Sequence, residues 1–562
     1  MLLLEQQFAF QSEWTSDLMS IDNYVNVTLS CKKKKDLSYA NYVHTKISEI
    51  GLDAHMVVGN FIVPMFVECE NIYKAQMVFN RLEHKKEHSW TSLIQGFVSS
   101  NEPQEAIYLF QKMQEDLVAP SRHTLVALIK ASSKLRWVDI GQGLNTMVAM
   151  GNYENDIFIG NALIDMYAKC GFLTDAKHIF FEMNDVNVVT WTVMVAAYAE
   201  QDGVIALELF NKMQGHNFLK PNIVVFSSVL KACGSIKATE KGTAIYAEII
   251  RAVPIMETNV LVGAALINMY SKCDAIIKAQ EIFDRLAFRN VVSWNALIAG
   301  YVQNELGEEA LKCFECMRYE GIHPNSVTFL SVTKACSIMG AAGKGIEVHK
   351  EIIREGLSET GRLGNALVDM YAKCGLLPKA SEVFEKLNVR DVVAWTSLIS
   401  GYAQLGNGDI VVTLFDSMIR EEVKPSLVTF TVVLNACSHG GLLKEGEKLF
   451  DDMCGVYKLN PTLEHYTCMI DLFSRAGHFH KIKNLFDNLS SSLDHLPLYL
   501  AILGACKKWV NVELGRWAFE QSLKLDVKCA SAYVGMRNIY SESGMQIESD
   551  KVEALRVQNE AW

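Results

Sequence analysis

Gly361-Arg-Leu-Gly-Asn-Ala-Leu-Val-Asp-Met-Tyr-Ala-Lys-Cys-Gly375 opens the stretch that decides the fold. It continues through Asp391-Val-Val-Ala-Trp-Thr-Ser-Leu-Ile-Ser-Gly-Tyr402 to Lys424-Pro425-Ser426. Trp395, Leu398, Ile399 and Tyr402 fall at i, i+3, i+4 and i+7, the apolar stripe of an amphipathic helix. Leu405 to Asp409 carries two glycines and an asparagine, which turn the chain rather than extend the helix. Val411, Leu414, Phe415 and Met418 restart the stripe, and Pro425 is expected to stop the second helix. One unit is therefore a helical hairpin.

Copies of this stretch set a period. Asn60-Phe-Ile-Val-Pro-Met-Phe, Asn161-Ala-Leu-Ile-Asp-Met-Tyr, Ala264-Ala-Leu-Ile-Asn-Met-Tyr and Asn365-Ala-Leu-Val-Asp-Met-Tyr start 101, 103 and 101 residues apart. Trp90, Trp191, Trp294 and Trp395 repeat those spacings, as do Lys130, Lys231, Lys334 and Asn435. Roughly one hundred residues thus hold three hairpins, a short one of about 31 residues, a middle one of about 35 and a long one of about 35–37. A hairpin that cannot bury its apolar face alone must stack on its neighbours, which gives an all-α superhelical solenoid.

Composition bounds the function. Half of the 562 residues are apolar, enough for a core running along an array. No apolar run approaches the ~18 residues of a membrane span, so no membrane partner is expected. The net charge of −11, from 53 basic and 64 acidic residues, requires an asymmetric charge distribution if the ligand is a nucleic acid. Of the fourteen cysteines, Cys170, Cys273 and Cys374 share one repeat position, and Cys233, Cys336 and Cys437 another. Such recurrence reads as small apolar core residues in a reducing compartment, not as a disulfide framework. Met1 to Ser20 contains no Lys or Arg, so no transit peptide is evident.

The chain divides into three parts. Residues 1–55 hold a worn hairpin over 21–55, whose Lys32–Lys35 run reads as a solvated turn, with nuclear localisation as the other reading. Residues 56–494 are the array, in triplets 56–156, 157–259 and 260–360, then hairpins 361–391, 392–426, 427–462 and 463–494. Residues 495–562 suggest two further hairpins with altered landmarks.

These features resemble plant pentatricopeptide repeat proteins of the PLS subclass. The resemblance rests on the alternating hairpin lengths, Trp-Thr/Asn-x-Leu-Ile, Met-Tyr-Ala-Lys-Cys-Gly and Lys-Pro-Asn/Ser, and it covers about 56–494. It implies a right-handed superhelical solenoid of P-type (middle), L-type (long) and S-type (short) hairpins that binds single-stranded RNA in organelles, mitochondrion or chloroplast. Residues 495–562 are similar to the subclass's E motifs, which implies a C-to-U editing factor whose deaminase, of the DYW type, is supplied in trans. An RNA stabilisation or splicing factor is the alternative within the family. A tetratricopeptide-like protein scaffold would instead show a steady 34-residue period.

One ladder of side chains carries the expected chemistry. The fifth residue of each hairpin is Asn60, Thr91, Asn161, Thr192, Asn295, Asn365, Thr396 or Thr467. Such amides and hydroxyls either hydrogen-bond the edge of an unpaired base or satisfy helix N-terminal amides. The resemblance pairs each with the last residue of its hairpin. Asn161 with Asn187, Thr192 with Asn222, Asn295 with Asn325, Asn365 with Asp391, and Thr467 with Asp494 then imply cytidine, adenosine, cytidine, uridine and guanosine. Thr396 with Ser426 departs from the usual pairs, and the long hairpins offer Val126 and Leu330, which assign no base. Val189, Val292 and Val393 at second positions pack either against bases or into the core. His349-Lys-Glu351 and Cys313-Phe-Glu-Cys316 are zinc-deaminase fragments in reversed order, so no cofactor and no catalytic residue is expected.

Overall fold

The computed structural model describes residues 20–215, 219–252, 259–357, 361–487 and 495–560. Among these, every regular element is an α-helix, 32 in all, arranged as consecutive hairpins. The chain forms two compact units, Met1–Phe288 and Arg289–Trp562. The first contains α1 (Ile21–Lys34), α2 (Leu37–Glu49), α3 (Val58–Glu68), α4 (Ile72–Arg81), α5 (Glu87–Ser99), α6 (Pro103–Glu115), α7 (Arg122–Leu135) and α8 (Val138–Met150). It continues with α9 (Ile157–Lys169), α10 (Leu173–Glu182), α11 (Val188–Gln201), α12 (Gly203–Gly215), α13 (Ile223–Ser235), α14 (Thr239–Ala252), α15 (Val260–Lys272) and α16 (Ile276–Arg285). The second contains α17 (Val291–Gln303), α18 (Gly307–Tyr319), α19 (Ser326–Met339), α20 (Ala342–Arg354), α21 (Gly361–Lys373), α22 (Leu377–Glu385), α23 (Val392–Gln404) and α24 (Gly408–Arg420). Its last helices are α25 (Leu427–Gly440), α26 (Leu443–Gly455), α27 (Leu463–Arg475), α28 (Phe479–Asp487), α29 (Leu496–Trp509), α30 (Val512–Leu525), α31 (Ala530–Glu542) and α32 (Gln546–Gln558).

Odd-numbered helices stack on one another, α1 to α15 in one unit and α17 to α31 in the other. Each even-numbered helix packs on its own partner and, α28 excepted, on the next odd-numbered helix of its unit. The core of each unit is therefore a continuous layer between the two rows, an α-solenoid.

Three chemically different joints explain why the period is three hairpins. From short to middle hairpin, a phenylalanine meets the recurrent tryptophan edge-on: Phe79 with Trp90 at 4.6 Å, Phe180 with Trp191 at 4.9 Å and Phe384 with Trp395 at 4.7 Å between centroids. From middle to long, two phenylalanines meet: Phe210 with Phe226, Phe314 with Phe329 and Phe415 with Phe430. From long to short, a glycine seats the methionine of Met-Tyr-Ala-Lys-Cys. A Cβ on Gly141, Gly242 or Gly345 would lie 2.5, 2.7 or 2.4 Å from Met166, Met269 or Met370. Gly446 takes Leu472 in the same way.

The decisive stretch folds as expected in its helices, with two differences: the turn ends at Asn407, so Gly408 and Asp409 already belong to α24, and the end of α24 differs too. The second helix, α24, stops at Arg420, where Glu422 turns left-handed (φ 59°) and the amide of Val423 donates to the carbonyl of Met418. Pro425 comes after this stop, and its neighbour Ser426 caps the next helix. Residues 21–55 do form a hairpin, with Lys32–Lys35 at its turn, and 495–560 form two.

All fourteen cysteines are free thiols. Cys233, Cys336 and Cys437 are fully buried, and burial pushes their thiols up to about 11, 11 and 12. Cys170, Cys273 and Cys374 differ from the core placement expected of them. They sit half-buried just past the ends of first helices, where the chain leaves the core. The thiols of Cys273 and Cys374 face the carbonyls of Cys233 and Cys336 at 3.9 and 3.8 Å. No helix among the described residues is long and apolar enough to cross a membrane.

The glycine joint yields a paired test on α8. Gly141→Val, forced against Met166, is expected to cost about 1–3 kcal/mol. Gly143→Ala, two residues on with open space around it, is expected to add about 0.5–1 kcal/mol. Denaturation midpoints followed by circular dichroism check both signs. A second expectation concerns the thiols, since only exposed thiolates react readily. A maleimide at neutral pH should label exposed Cys316 in the native protein, and Cys233, Cys336 and Cys437 only after unfolding. Prompt labelling of the latter three would contradict the packing.

Candidate nucleic-acid interface

The site is built from the first turns of the odd-numbered helices. Helical periodicity puts the second and fifth residues of each on one face, three positions apart. The fourth, Trp90, Trp191, Trp294 or Trp395, turns into the core. The second-position valines are open to solvent, from 44 % for Val292 to 54 % for Val189 and Val393. Core packing therefore does not account for them, and Phe158, Val224, Leu261, Val327 and Val428 are exposed at the same position.

Asn187, Asn222, Asn325, Asp391 and Ser426, the last residues of their hairpins, are the N-caps of the next first helices. Asn187 Oδ1 accepts from the amides of Val189 and Thr190 at 2.9 and 3.0 Å, and Asn325 Oδ1 from Val327 and Thr328 at 3.1 Å each. Asp391 Oδ1 accepts from Val393 and Ala394 at 3.0 and 2.9 Å. Asn222 and Ser426 cap through Val225 and Thr429. The amide-satisfying role thus belongs to the last residues. The fifth residues do other things. Thr192, Thr396 and Thr467 donate to the carbonyls of Val188, Val392 and Leu463, one turn back.

Two of the expected pairs are bonded directly. Asn295 Nδ2 donates to Asn325 Oδ1 at 3.1 Å, and Asn365 Nδ2 donates to both carboxylate oxygens of Asp391 at 2.9 Å. Thr396 and Ser426 are joined through Thr429, whose hydroxyl lies 2.8 Å from one and 3.0 Å from the other. Among the described residues no hydrogen bond joins Asn161 to Asn187 or Thr192 to Asn222. Asp494 lies outside the described residues, so its partner Thr467 stands here alone, exposed. The Oδ1 atoms of Asn161 and Asn365 are buried with no hydrogen-bond partner. Leaving such an acceptor unpaired costs about 1–3 kcal/mol, which a ligand donor would recover.

A cleft of about 390 Å³ opens on this face, lined among others by Lys373, Val393, Thr396, Ser426 and Val428. Basic residues follow the same row. Exposed Lys130, Lys231 and Lys334 lie one turn beyond the fifth residues of the long hairpins. Lys169 and Lys373 lie two turns beyond Asn161 and Asn365, each paired with an aspartate, Asp165 or Asp369. Thr431, the fifth residue of the hairpin 427–462, escaped the sequence reading, which took the long hairpins from Val126 and Leu330. Alignment of all hairpins on their caps would have found it. His349 bonds the Tyr371 hydroxyl at 2.7 Å, and Cys313 and Cys316 lie on α18. Among the described residues no three His, Cys, Asp or Glu side chains are grouped as metal ligands.

Comparison with known proteins agrees with the repeat architecture. Profiles described as PPR repeat match 88–116, 161–188, 365–392, 428–455 and 464–492. The PPR repeat family matches 289–337 and 390–439, and the pentatricopeptide repeat domain 184–235. A mitochondrial pentatricopeptide repeat-containing protein of Arabidopsis thaliana is 32 % identical over 94 % of this chain and 76 % of its own. A chloroplastic one from the same plant is 32 % identical over 89 % of this chain and 59 % of its own. The crystal structure of the pentatricopeptide repeat protein PPR10, a maize protein, in complex with an 18-nt psaJ RNA element is similar in fold. It has a TM-score of 0.52 and 16 % identity over 96 % of this chain and 87 % of that one.

Asp391→Ala removes the cap of α23 and the acceptor of Asn365 together, and should destabilise by about 1–3 kcal/mol. A double-mutant cycle with Asn365→Ala, read by chemical denaturation, should return a coupling of about 0.5–3 kcal/mol. Strict additivity would mean that the pair does not act as one.

Proposed function

The chain belongs to the pentatricopeptide repeat family, and from that premise we propose that it is a sequence-specific single-stranded RNA-binding protein of an organelle. Within the PLS subclass, its task is to mark a cytidine for C-to-U editing by a DYW-type deaminase supplied in trans. The array 56–494 reads the RNA, 1–55 extends it, and the two hairpins of 495–562 serve as the docking surface. The organelle is the mitochondrion, with the chloroplast as the alternative, in line with relatives named for each.

The observation that carries this reading is the ladder of fifth and last residues. In the pair Asn365 and Asp391, for one, the last residue is held at a helix start by capping bonds, with the exposed apolar side chain of Val393 beside it. Unpaired bases are recognised by such edges, with apolar or aromatic groups against their faces. The lysines at one-turn offsets supply phosphate contacts despite the acidic total. PPR10 was crystallised with RNA, which favours RNA over a protein ligand.

The pairs then read, from the upstream end, cytidine (Asn161, Asn187) and adenosine (Thr192, Asn222), then two unassigned bases. Cytidine (Asn295, Asn325), one unassigned base and uridine (Asn365, Asp391) follow. After two more unassigned bases, guanosine (Thr467, Asp494) stands about four nucleotides before the edited cytidine.

One substitution tests the reading. Asn365→Thr retains Asp391 and should shift preference from uridine to guanosine at that single base. The change in affinity is roughly fivefold to hundredfold, the worth of one mismatched hydrogen-bonding edge. Competition binding with RNA oligonucleotides differing only there reads it out. A variant that still prefers uridine, or that weakens equally for all four bases, would refute base reading by this pair.

A further inference from the structure

We propose that the third residue of a first helix, where its side chain reaches back to the preceding hairpin, is a positioning residue that decides which edge that hairpin's fifth residue presents to a base. The inference rests on the RNA-reading role and adds a residue class to it. Ser89, Thr124, Thr328, Thr429 and His465 occupy this position, and all are buried. Each reaches back one hairpin. Ser89 Oγ donates to Asn60 Oδ1 at 2.7 Å, and Thr124 Oγ1 meets Thr91 Oγ1 at 2.6 Å. Thr328 Oγ1 donates to Asn295 Oδ1 at 2.6 Å, and Thr429 Oγ1 meets Thr396 Oγ1 at 2.8 Å. From the hairpin 463–494 a histidine reaches back likewise, His465 Nε2 lying 3.2 Å from Thr431 Oγ1 and 3.0 Å from the Leu427 carbonyl.

Proton accounting fixes the direction of these bonds. The Thr328 hydroxyl accepts from the Asn325 amide at 3.1 Å, so its one proton goes to its shortest acceptor, Asn295 Oδ1. Thr396 spends its own proton on the Val392 carbonyl at 2.6 Å, so Thr429 must be the donor between them. The fifth residue is thereby held with its acceptor side engaged from behind. Asn295 uses Oδ1 on Thr328 and one amide proton on Asn325, and keeps a second amide proton to offer. An N–H donor suits the N3 acceptor of cytosine.

Asn365 provides the contrast within the same chain. Its third-position neighbour is Ala394, which has no hydroxyl. One of its amide protons is shared between the two oxygens of Asp391, and its Oδ1 is buried without a partner. Its acceptor is thus not engaged from behind, and an unengaged carbonyl oxygen suits the N3–H donor of uracil. The two asparagines thus differ in whether Oδ1 is engaged, and the third residue of the following helix is one cause of the difference.

The experiment compares RNAs differing in one base, bound to full-length protein whose fold is checked by circular dichroism. Ala394→Ser installs a hydroxyl behind Asn365. It should reduce the preference for uridine over cytidine at that base by about three- to tenfold and leave the other positions unchanged. Thr328→Val, close in shape, should relax the cytidine preference opposite Asn295 by a similar factor, while Thr328→Ser, which keeps the hydroxyl, should retain it. Unchanged preferences in both Ala394→Ser and Thr328→Val, with Asn365→Thr still switching its base, would overturn the positioning role alone. Equal weakening for all bases would reduce the third residue to a structural one, again overturning it. Absence of any base preference in the unaltered protein would overturn this inference and the RNA-reading role together.

Discussion

No hairpin of this chain can cover its own apolar face, and everything else follows from how that face is closed by the next hairpin. Three closures alternate: an edge-on phenylalanine and tryptophan, a pair of phenylalanines, and a glycine that seats a methionine or leucine. An aromatic pair contributes roughly 0.5–1.5 kcal/mol beyond its area burial. The glycine joint instead depends on close approach, which any added carbon would block. Because each closure needs its own residues, the sequence repeats every three hairpins rather than every one. The closures also fix the spacing of first helices, and with it the spacing of the ladder on their exposed face.

The junction between hairpins does two tasks with one side chain. Asp391 satisfies two amides at the start of α23 and at the same time accepts both bonds from Asn365. A cap must point at its helix start to function, so the helix itself orients the carboxylate toward the preceding hairpin. Recognition geometry is therefore paid for by folding: the group that would face a base is already immobilised before any ligand arrives, which lowers the ordering cost of binding. The same coupling means that altering a last residue such as Asp391 disturbs the helix start and its partner together, whereas altering a fifth residue such as exposed Thr467 touches mainly the surface.

Much of this was legible in the sequence. Trp395, Leu398 and Ile399 announced a buried stripe, and the offsets between Asn60, Asn161, Ala264 and Asn365 set the period. The fifth and last residues were identifiable because capping residue types recur at fixed places. What was not legible depended on neighbours in space. Pro425 looked like the helix stop, yet a left-handed residue at Glu422 ends α24 earlier, a conformation that side-chain type alone does not announce. Cys170, Cys273 and Cys374 looked equivalent to Cys233, Cys336 and Cys437, but a shift to the helix end leaves them half-buried. The second-position valines carried an apolar signal that fitted the core equally well. The third residues gave the least warning, since a serine or threonine at that place reads as ordinary capping-box chemistry and its second bond spans two hairpins.

The unsatisfied acceptors of Asn161 and Asn365 are the point where stability and function part company. A buried carbonyl oxygen without a donor destabilises the free protein, and a threonine behind Asn365, as at the equivalent place behind Asn295, would relieve it. Ala394 declines that relief. The same alanine also leaves no hydroxyl to compete with Asn365 for Asp391, so the amide nitrogen is free to engage both oxygens. The result is an asparagine leaning on Asp391 through one amide proton, with its acceptor left without a partner. A protein built only to stack hairpins gains nothing from that arrangement. One that must distinguish a donating base edge from an accepting one gains discrimination, because the wrong edge would leave the acceptor buried and still unpaired.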